Sequence, residues 1–463
     1  MPMAGAGAQR GLRALAAAKP RLPYEHSWHD FAVFMLHVAA EIEHSLMVQY
    51  LYAAYSIGGA GLGEAAHEPA RQWREIILGI AKEEMGHLIT VQNILRLIGG
   101  PLHLEREDYP FRSEFYPFHF TLEPATKSSI AKYVIAEAPL AFLDTAEGKE
   151  IVARARKADD GRAVLPVGVL YEELIELFGN EGALTDDDFR ADTEPYQASW
   201  DEWGRGYGLG QRGNVAQSAP KKTPDLLILK TTDRASAVDA LKSIARQGEA
   251  PALGRGGSAD EKSHFARFLE IYRVFPERNP PSRNIPANPS TEQPQDGDDG
   301  DRSGPLGCAS ITDERSLLWA HLFNIRYRKL LFSLKHVFHV EAGDSVDTPT
   351  ARGNLIAWTF GEMYNLRAIA GILVTLPLKS DGGSRRAAPP FEVPYTLALP
   401  DWDSDKWRVH RDLIGASEKV IHQLETKDAE RRDYLRALRD HDKLDLEVVE
   451  RLLDVLQARE ANA

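Results

Sequence analysis

Apolar residues recur at helical spacing from about His29 to Ile57 and again from Arg71 to Ile98, the i, i+3, i+4, i+7 rhythm of a buried helix face. Gly58-Gly59 and Gly99-Gly100-Pro101 follow directly and predict the two helix ends. A long irregular piece containing "EDYPFRSEFYPFHF" comes next, then a short helix, "LPVGVLYEELIELFG", over Leu165–Gly179. The segment "EPYQASWDEWGRGYGLGQRG" is too rich in glycine for regular structure and is expected to cover a surface. A strand-like "PDLLILK" leads into a helix with Thr231, Thr232 or Asp233 as its candidate cap, and "ADEKSHFARFLEIYRVF" reads as another helix. Asn279–Gly304 is Pro/Asp/Gly-rich and nearly free of apolar residues, so it is expected to stay disordered. From Ser310 to about Arg459 the pattern is helical again. The chain thus divides into a mobile tail (1–23), a helical bundle with long insertions (24–278), a disordered linker (279–308) and a C-terminal helical domain (309–463). The expected fold class is mostly α.

Two of these helices place charge where their pattern asks for apolar residues. The stripe through Glu84 runs Ile77, Ile80, Glu84, His87, Val91, Ile94, Leu95 and Ile98. A buried carboxylate without a partner costs several kcal/mol, and a bound cation removes that cost. Glu84 and His87 stand three apart, so both point the same way. Glu-x-x-His on a bundle helix is the half-site of a di-iron or di-manganese carboxylate centre, whose oxygen and imidazole donors suit iron or manganese. Glu43 repeats the signal on the stripe Leu36, Ala39, Ala40, Met47, Tyr50 and Ala54. Glu41 with His44 is a competing Glu-x-x-His, but its stripe is more mixed, so Glu43 is preferred. Glu261 and His264 form another Glu-x-x-His, continued by Phe265, Phe268, Ile271, Tyr272 and Phe275.

A two-metal bundle takes one Glu from each of two helices and a Glu-x-x-His from each of the other two. The fourth contribution is expected on Leu165–Gly179, where Glu173 borders the stripe of Val167, Leu170, Leu174 and Leu177 and Glu172 lies further round. Any single Glu-x-x-His is more often a solvated helix pair; three acids on apolar stripes in the right chain order carry the reading.

Composition narrows the partners. The 463 residues are 43% hydrophobic and 27% charged, as in an ordinary globular protein. The balance of 55 basic against 68 acidic residues gives −13, which disfavours nucleic acid and anionic membranes as partners. Cys308 is the one cysteine, so neither an internal disulfide nor a thiolate cluster can form. No apolar run is expected to span a bilayer. The start, "MPMAGAGAQRGLRALAAAKPRLPY", lacks the apolar core of a secretion signal, which leaves the cytoplasm as the default location. A homodimer would fit the prevalence of two-fold pairs.

The stretches "IEHSLMVQYLYAAYSI", "IAKEEMGHLITVQNILRLIGG" and "SHFARFLEI", with "IARQGEA" before the last, are similar to the ferritin-like domain of the iminophenyl-pyruvate dimer synthase family. That family serves violacein and indolocarbazole pigment pathways. The resemblance covers roughly Tyr24 to Phe275 and continues weakly through "LFNIRYRKLLFSL", "GEMYNLRAIAGILVTLPL" and "AAPPFEVPYT". It implies a ferritin-like four-helix bundle with a long crossover between its second and third helices. It implies metal ligation by Glu43, Glu84, His87, Glu261 and His264. Where the family shows a Glu shortly before the aromatic residue of the third helix, this chain has Val169, with Glu173 one turn on. The implied activity is di-iron oxidation, with O2, of a small amino-acid-derived or secondary-metabolite substrate, with Tyr50 and Tyr171 as candidate catalytic residues lining the pocket. The alternatives are a ferritin-like protein that binds metal without turnover, and a pathway scaffold.

Two further patterns weigh less. His336, His339 and Glu341 in "KHVFHVE", with His321 and Glu362, could hold a second metal or haem, but His pairs beside Lys335 at a helix end are usually partly exposed and face the last carbonyls. "GRGYGLG" over Gly204–Gly210 lacks the preceding strand and following helix of a phosphate cradle.

Overall fold

The computed structural model describes residues 22–23, 25–59, 62–203, 228–249, 262–293, 307–342, 350–381, 383–393 and 396–460. Thirteen α-helices lie among them, with one pair of two-residue strands, so the mostly helical expectation holds. The chain forms two units, one from residues up to 282 and one from 108–110 together with 283 onward.

In the first unit, α1 (Trp28–Ser56) opens on a capping box in which Ser27 and Asp30 satisfy each other's backbone donors. It stops where Ile57 turns extended and Gly58 and Gly59 adopt φ of 111° and 149°, values that L side chains resist. Helix α2 (Glu64–Leu97) begins earlier than Arg71, with Pro69 inside it. Its first turns are mostly exposed, so no apolar stripe announces them. It closes in a Schellman motif: Gly99 at φ 70° donates to Arg96 O (3.1 Å) and Gly100 to Leu95 O (2.8 Å).

Helix α3 (Lys127–Ala136) lies inside the stretch expected to be irregular. Thr126 and Ser129 cap it, and every residue from Ser129 to Ala136 is buried. A helix buried all round shows no amphipathic period, which explains why the pattern hid it. There follow α4 (Leu140–Leu143), α5 (Ala146–Ala158), α6 (Gly168–Gly179), α7 (Trp200–Trp203), α8 (Arg234–Glu249) and α9 (His264–Val274). Helix α1 packs along α2 and against α6; α3 lies between α5 and α9; α8 packs on α6 and α9. By length and composition α1 could cross a membrane, contrary to the expectation of no such run, but its apolar residues are largely buried within the unit.

The second unit holds α10 (Glu314–Val337), α11 (Ala351–Leu373), α12 (Asp403–Lys427) and α13 (Arg432–Glu460), with α10 packed on α11 and α12, and α12 on α13. The expected disordered linker is corrected in its first half. Strand β1 (Pro289–Ser290) pairs in parallel with β2 (Ala309–Ser310), and Ile285, Asn288 and Ser290 are buried. Backbone bonds from Ala309 N to Asn288 O (2.8 Å) and Ile311 N to Ser290 O (2.9 Å) hold it, and such pairing leaves no mark in composition. Residues 294–306 fall outside the described ones.

The second unit also buries charge. Arg326 and Lys329 on α10 are 1% and 0% exposed. Arg326 pairs with Glu362 (3.0 Å) and bidentately with Asp442; Lys329 reaches Glu362 (3.0 Å), Asp442 (3.3 Å) and Asp445 (2.8 Å). Removing one partner of such a network costs about 3–5 kcal/mol, so Asp442→Ala should lower the unfolding free energy of this unit by that order in urea titrations. Burial alone would raise the Asp442 and Glu362 carboxyls, but Lys329 and Arg326 outweigh it and hold both below the usual range. Their stabilisation is therefore full above about pH 4, the unfolded carboxylate value, and is lost as the pH falls through the depressed values. Thermal melts between pH 7 and pH 2 should show this unit weakening only below about pH 4.

Candidate metal centre

Glu43 on α1, Glu84 and His87 on α2, Glu137 just past α3 and His264 opening α9 converge in the first unit, none more than 4% exposed. They form two half-sites that share Glu84. In one, His87 Nδ1 lies 2.9 Å from Glu84 Oε2 and 3.3 Å from Glu43 Oε2. In the other, His264 Nδ1 lies 3.0 Å from Glu84 Oε1 and 3.7 Å from Glu137 Oε2. Each half-site thus has one imidazole nitrogen, one terminal carboxylate oxygen and one oxygen of Glu84, within 4.8 Å of one another. The outer oxygens of the terminal carboxylates are taken: Tyr171 donates to Glu43 Oε1, and Tyr50 to Glu137 Oε1 at 2.5 Å.

Glu43 Oε2, Glu84 Oε1 and His264 Nδ1 are buried and make no well-aligned hydrogen bond; their near neighbours are one another and His87, at 3.0 Å between His264 and Glu84 and 3.3 Å between His87 and Glu43. Among the described residues no lysine or arginine pairs with Glu43, Glu84 or Glu137; their ionic partners are His87 and His264. A cavity of about 20 Å³ opens between them, walled by Leu46, Ala136, Val167, Ile244 and Gly248, room for about one water-sized group. The donor set, three carboxylates and two imidazoles in two half-sites sharing Glu84, is of the kind that suits iron or manganese.

The charges show what protons do in that role. Burial, then the neighbouring Glu84, pushes the Glu43 carboxyl up to about 8. Burial and Glu84 also raise Glu137. Burial opposes charge on His87, but Glu43 and Glu84 raise it to about 10; His264 is likewise raised well above its ordinary value against burial, by Glu84, Glu137 and Glu83. Glu84 stays well below the carboxylate range because His264 and His87 outweigh burial.

Of the residues picked from sequence, Glu43, Glu84, His87 and His264 meet here, with Tyr50 and Tyr171 bonded to the terminal carboxylates. Glu261 lies outside the described residues, and His264 is the first residue of α9 behind the Ser263 cap. Glu173 is corrected: it is half-buried on α6, raised by burial and Glu176, and belongs to neither half-site, while Glu172 is exposed. Helix α6 supplies Tyr171 instead, and the third carboxylate of the cluster is Glu137. Ile130, Tyr133, Val134 and Glu137 fall at i, i+3, i+4 and i+7, the signal that singled out Glu84. Glu41, passed over for Glu43, turns to His103 (2.9 Å) and Tyr116 (3.1 Å).

The C-terminal donors do not gather into a site. Glu362 serves Arg326 and Lys329. His336, expected to be partly exposed, is buried against Trp407 with Nδ1 3.1 Å from His410 Nε2. Burial and then His410 depress it, because the packed helix end leaves an imidazolium no solvent. His339 faces Lys335 O at 3.1 Å. Gly204–Gly210 lies outside the described residues.

The family described as Ferritin-like matches residues 36–273, more than half of the chain. The chain belongs to the Ferritin-like family. The matched span contains both half-sites. Among curated relatives, dichlorochromopyrrolate synthase of Lentzea aerocolonigenes is 26% identical over 381 residues, 76% of this chain and 35% of that protein. The 2-imino-3-(indol-3-yl)propanoate dimerase of Chromobacterium violaceum is 26% identical over 395 residues, 78% of this chain and 33% of that protein. The chain therefore spans about a third of the length of the curated relatives it matches. A solved ferritin-like protein from Caulobacter vibrioides is 17% identical, covers 73% of this chain and 95% of its own, and superposes with a TM-score of 0.40.

A proton on either imidazole Nδ1 or on Glu43 competes with a bound cation. Because His87 and Glu43 titrate near 10 and 8, Mn(II) binding at pH 7 should release protons, and apparent affinity should rise with pH through neutrality. Titration in weakly buffered solution with a pH indicator measures this; proton-neutral binding would mean the ions sit elsewhere.

Proposed function

We propose that this chain is a metal- and O2-dependent oxidoreductase of secondary metabolism, built on a two-metal carboxylate centre that holds iron, with manganese as the alternative. The observation that carries the reading is the pair of half-sites joined by Glu84: three carboxylates and two imidazoles, all buried, with no lysine or arginine among the described residues to balance the acids. Glu43, Glu84 and His87 would hold one ion, and Glu84, Glu137 and His264 the other. When bound, the metal pair would supply electrons to O2 and accept them from the substrate. Tyr171 and Tyr50 tie Oε1 of Glu43 and Glu137, so each terminal carboxylate offers the centre a single oxygen. Apolar side chains of Leu46, Ala136, Val167 and Ile244 line the cavity beside the acids, and a low-dielectric wall strengthens the charge interactions it borders. The 26% identity to dichlorochromopyrrolate synthase and to the 2-imino-3-(indol-3-yl)propanoate dimerase supports an amino-acid-derived substrate, such as an aromatic 2-imino acid of the kind named for the Chromobacterium relative.

A metal-binding role without turnover is the second reading. It is favoured by the cavity, whose roughly 20 Å³ admits a water-sized molecule but no organic substrate.

Metal content separates these readings from none at all. About two iron or manganese ions per chain are expected, with Glu84→Ala losing both and Glu137→Ala losing one. Glu173→Ala should lose neither. Oxygen-electrode traces of the Fe(II)-loaded chain should then show uptake that depends on an aromatic 2-imino acid. Two bound ions with no uptake for any such substrate would favour the second reading, and no bound ion would defeat both.

A further inference from the structure

The two half-sites match on the inside and differ on the outside. Each has an imidazole Nδ1, one oxygen of Glu84 and a terminal carboxylate whose other oxygen is held by a tyrosine. With Nδ1 turned inward, each imidazole presents Nε2 to an outer partner. His87 Nε2 lies 2.8 Å from the amide oxygen of Gln247 on α8. His264 Nε2 lies 2.8 Å from the carboxylate of Glu83 on α2. Arg267, one turn along α9 from His264, grips both oxygens of that carboxylate, at 3.2 Å on Oε1 and with a second contact on Oε2.

A carboxylate accepting the Nε2 proton makes an imidazole a stronger donor at its other nitrogen and fixes its tautomer and ring angle; loss of such a partner typically costs 10–100-fold in metal affinity. A neutral amide oxygen does the same more weakly, since a hydrogen bond to a charged acceptor is roughly twice as strong as one to a neutral acceptor. Glu83 and Glu84 are consecutive on α2, so neighbouring positions on the helix turn one carboxylate into the centre and the next onto the back of His264.

We propose that the His264 half-site takes its ion first and more tightly than the His87 half-site, and that Glu83 is the positioning residue that sets this order. The proposal rests on the two-metal reading above, and it concerns the asymmetry that the inner donors alone would not create.

The test is a titration of metal-free full-length chain with Mn(II), following free Mn(II) by its electron paramagnetic resonance signal. Two steps of unequal affinity are expected in the unmodified chain. His264→Ala should abolish the tighter step and His87→Ala the weaker one. Glu83→Gln keeps the size of the side chain, removes its charge, and should weaken only the tighter step, by roughly 10–100-fold. Gln247→Glu installs the missing carboxylate behind His87 and should tighten only the weaker step. Far-ultraviolet circular dichroism checks that each variant is folded. Should Glu83→Gln fail that check, Gln247→Glu decides alone: a narrowed gap between the steps supports the proposal and an unchanged gap overturns it. Loss of the tighter step in His87→Ala, or unchanged steps in a folded Glu83→Gln, also overturns it. Two equal steps in the unmodified chain would defeat the ordering and leave the two-metal centre standing. No Mn(II) bound in the unmodified chain would defeat the centre itself, and the ordering with it.

Discussion

Three buried carboxylates that no arginine or lysine neutralises, among the described residues, are the constraint around which the first unit is arranged. Glu43, Glu84 and Glu137 come from three helices, and the groups that balance them are two imidazoles. Burying carboxylates is tolerable only with compensating charge close by. The second unit meets the same requirement with built-in cations: Arg326 and Lys329 face Glu362, Asp442 and Asp445. There the charge balance is part of the covalent chain. In the first unit it depends on what occupies the centre, protons or metal ions, and that difference separates a structural network from a site able to bind.

The rest of the first unit follows from keeping those groups together and dry. Helix α1 is buried on nearly all sides where Glu43 sits, and α3 is buried along almost its whole length up to Glu137. Tyr50 packs edge-on against Tyr133 and near Phe268 while its hydroxyl serves Glu137. The aromatic body is core and the polar tip is part of the site, a division that aromatic residues with one polar handle make possible. Helix α8 closes the void from a further side with Ile244, Ala245 and Gly248. A Cβ on Gly248 would stand 3.1 Å from Glu137 Oε2, so a larger residue there would press on that carboxylate.

Much of this was legible in the chain. The interruption of the apolar stripe at Glu84 and His87, the preference for Glu43 over Glu41 and the choice of His264 all rest on one physical fact: an acid or imidazole on a greasy helix face needs a reason. Glu137 is hidden although it obeys the same rule, because α3 is buried nearly all round, Ser129 and Lys132 included, and has no broad solvent face against which its stripe stands out. Glu173 was chosen for the opposite reason. Helix α6 is amphipathic and shows a clear stripe, yet that stripe brings Tyr171, not Glu173, to the centre. His336 was read as a helix-end histidine because its neighbours in sequence are charged, whereas its neighbours in space are Trp407 and His410.

The sequence by itself determined the helices that show a polar and an apolar side, the ends marked by Gly58, Gly59, Gly99 and Gly100, and the residues that share a face within one helix. Periodicity and capping are local, so they are written in consecutive residues. Only the tertiary structure decided that Glu84 stands between His87 and His264, that Glu137 supplies the third carboxylate, and that one imidazole is backed by Gln247 and the other by Glu83. Those pairings join residues far apart in the chain, and their distances are set by how the helices pack, which no spacing along the sequence records.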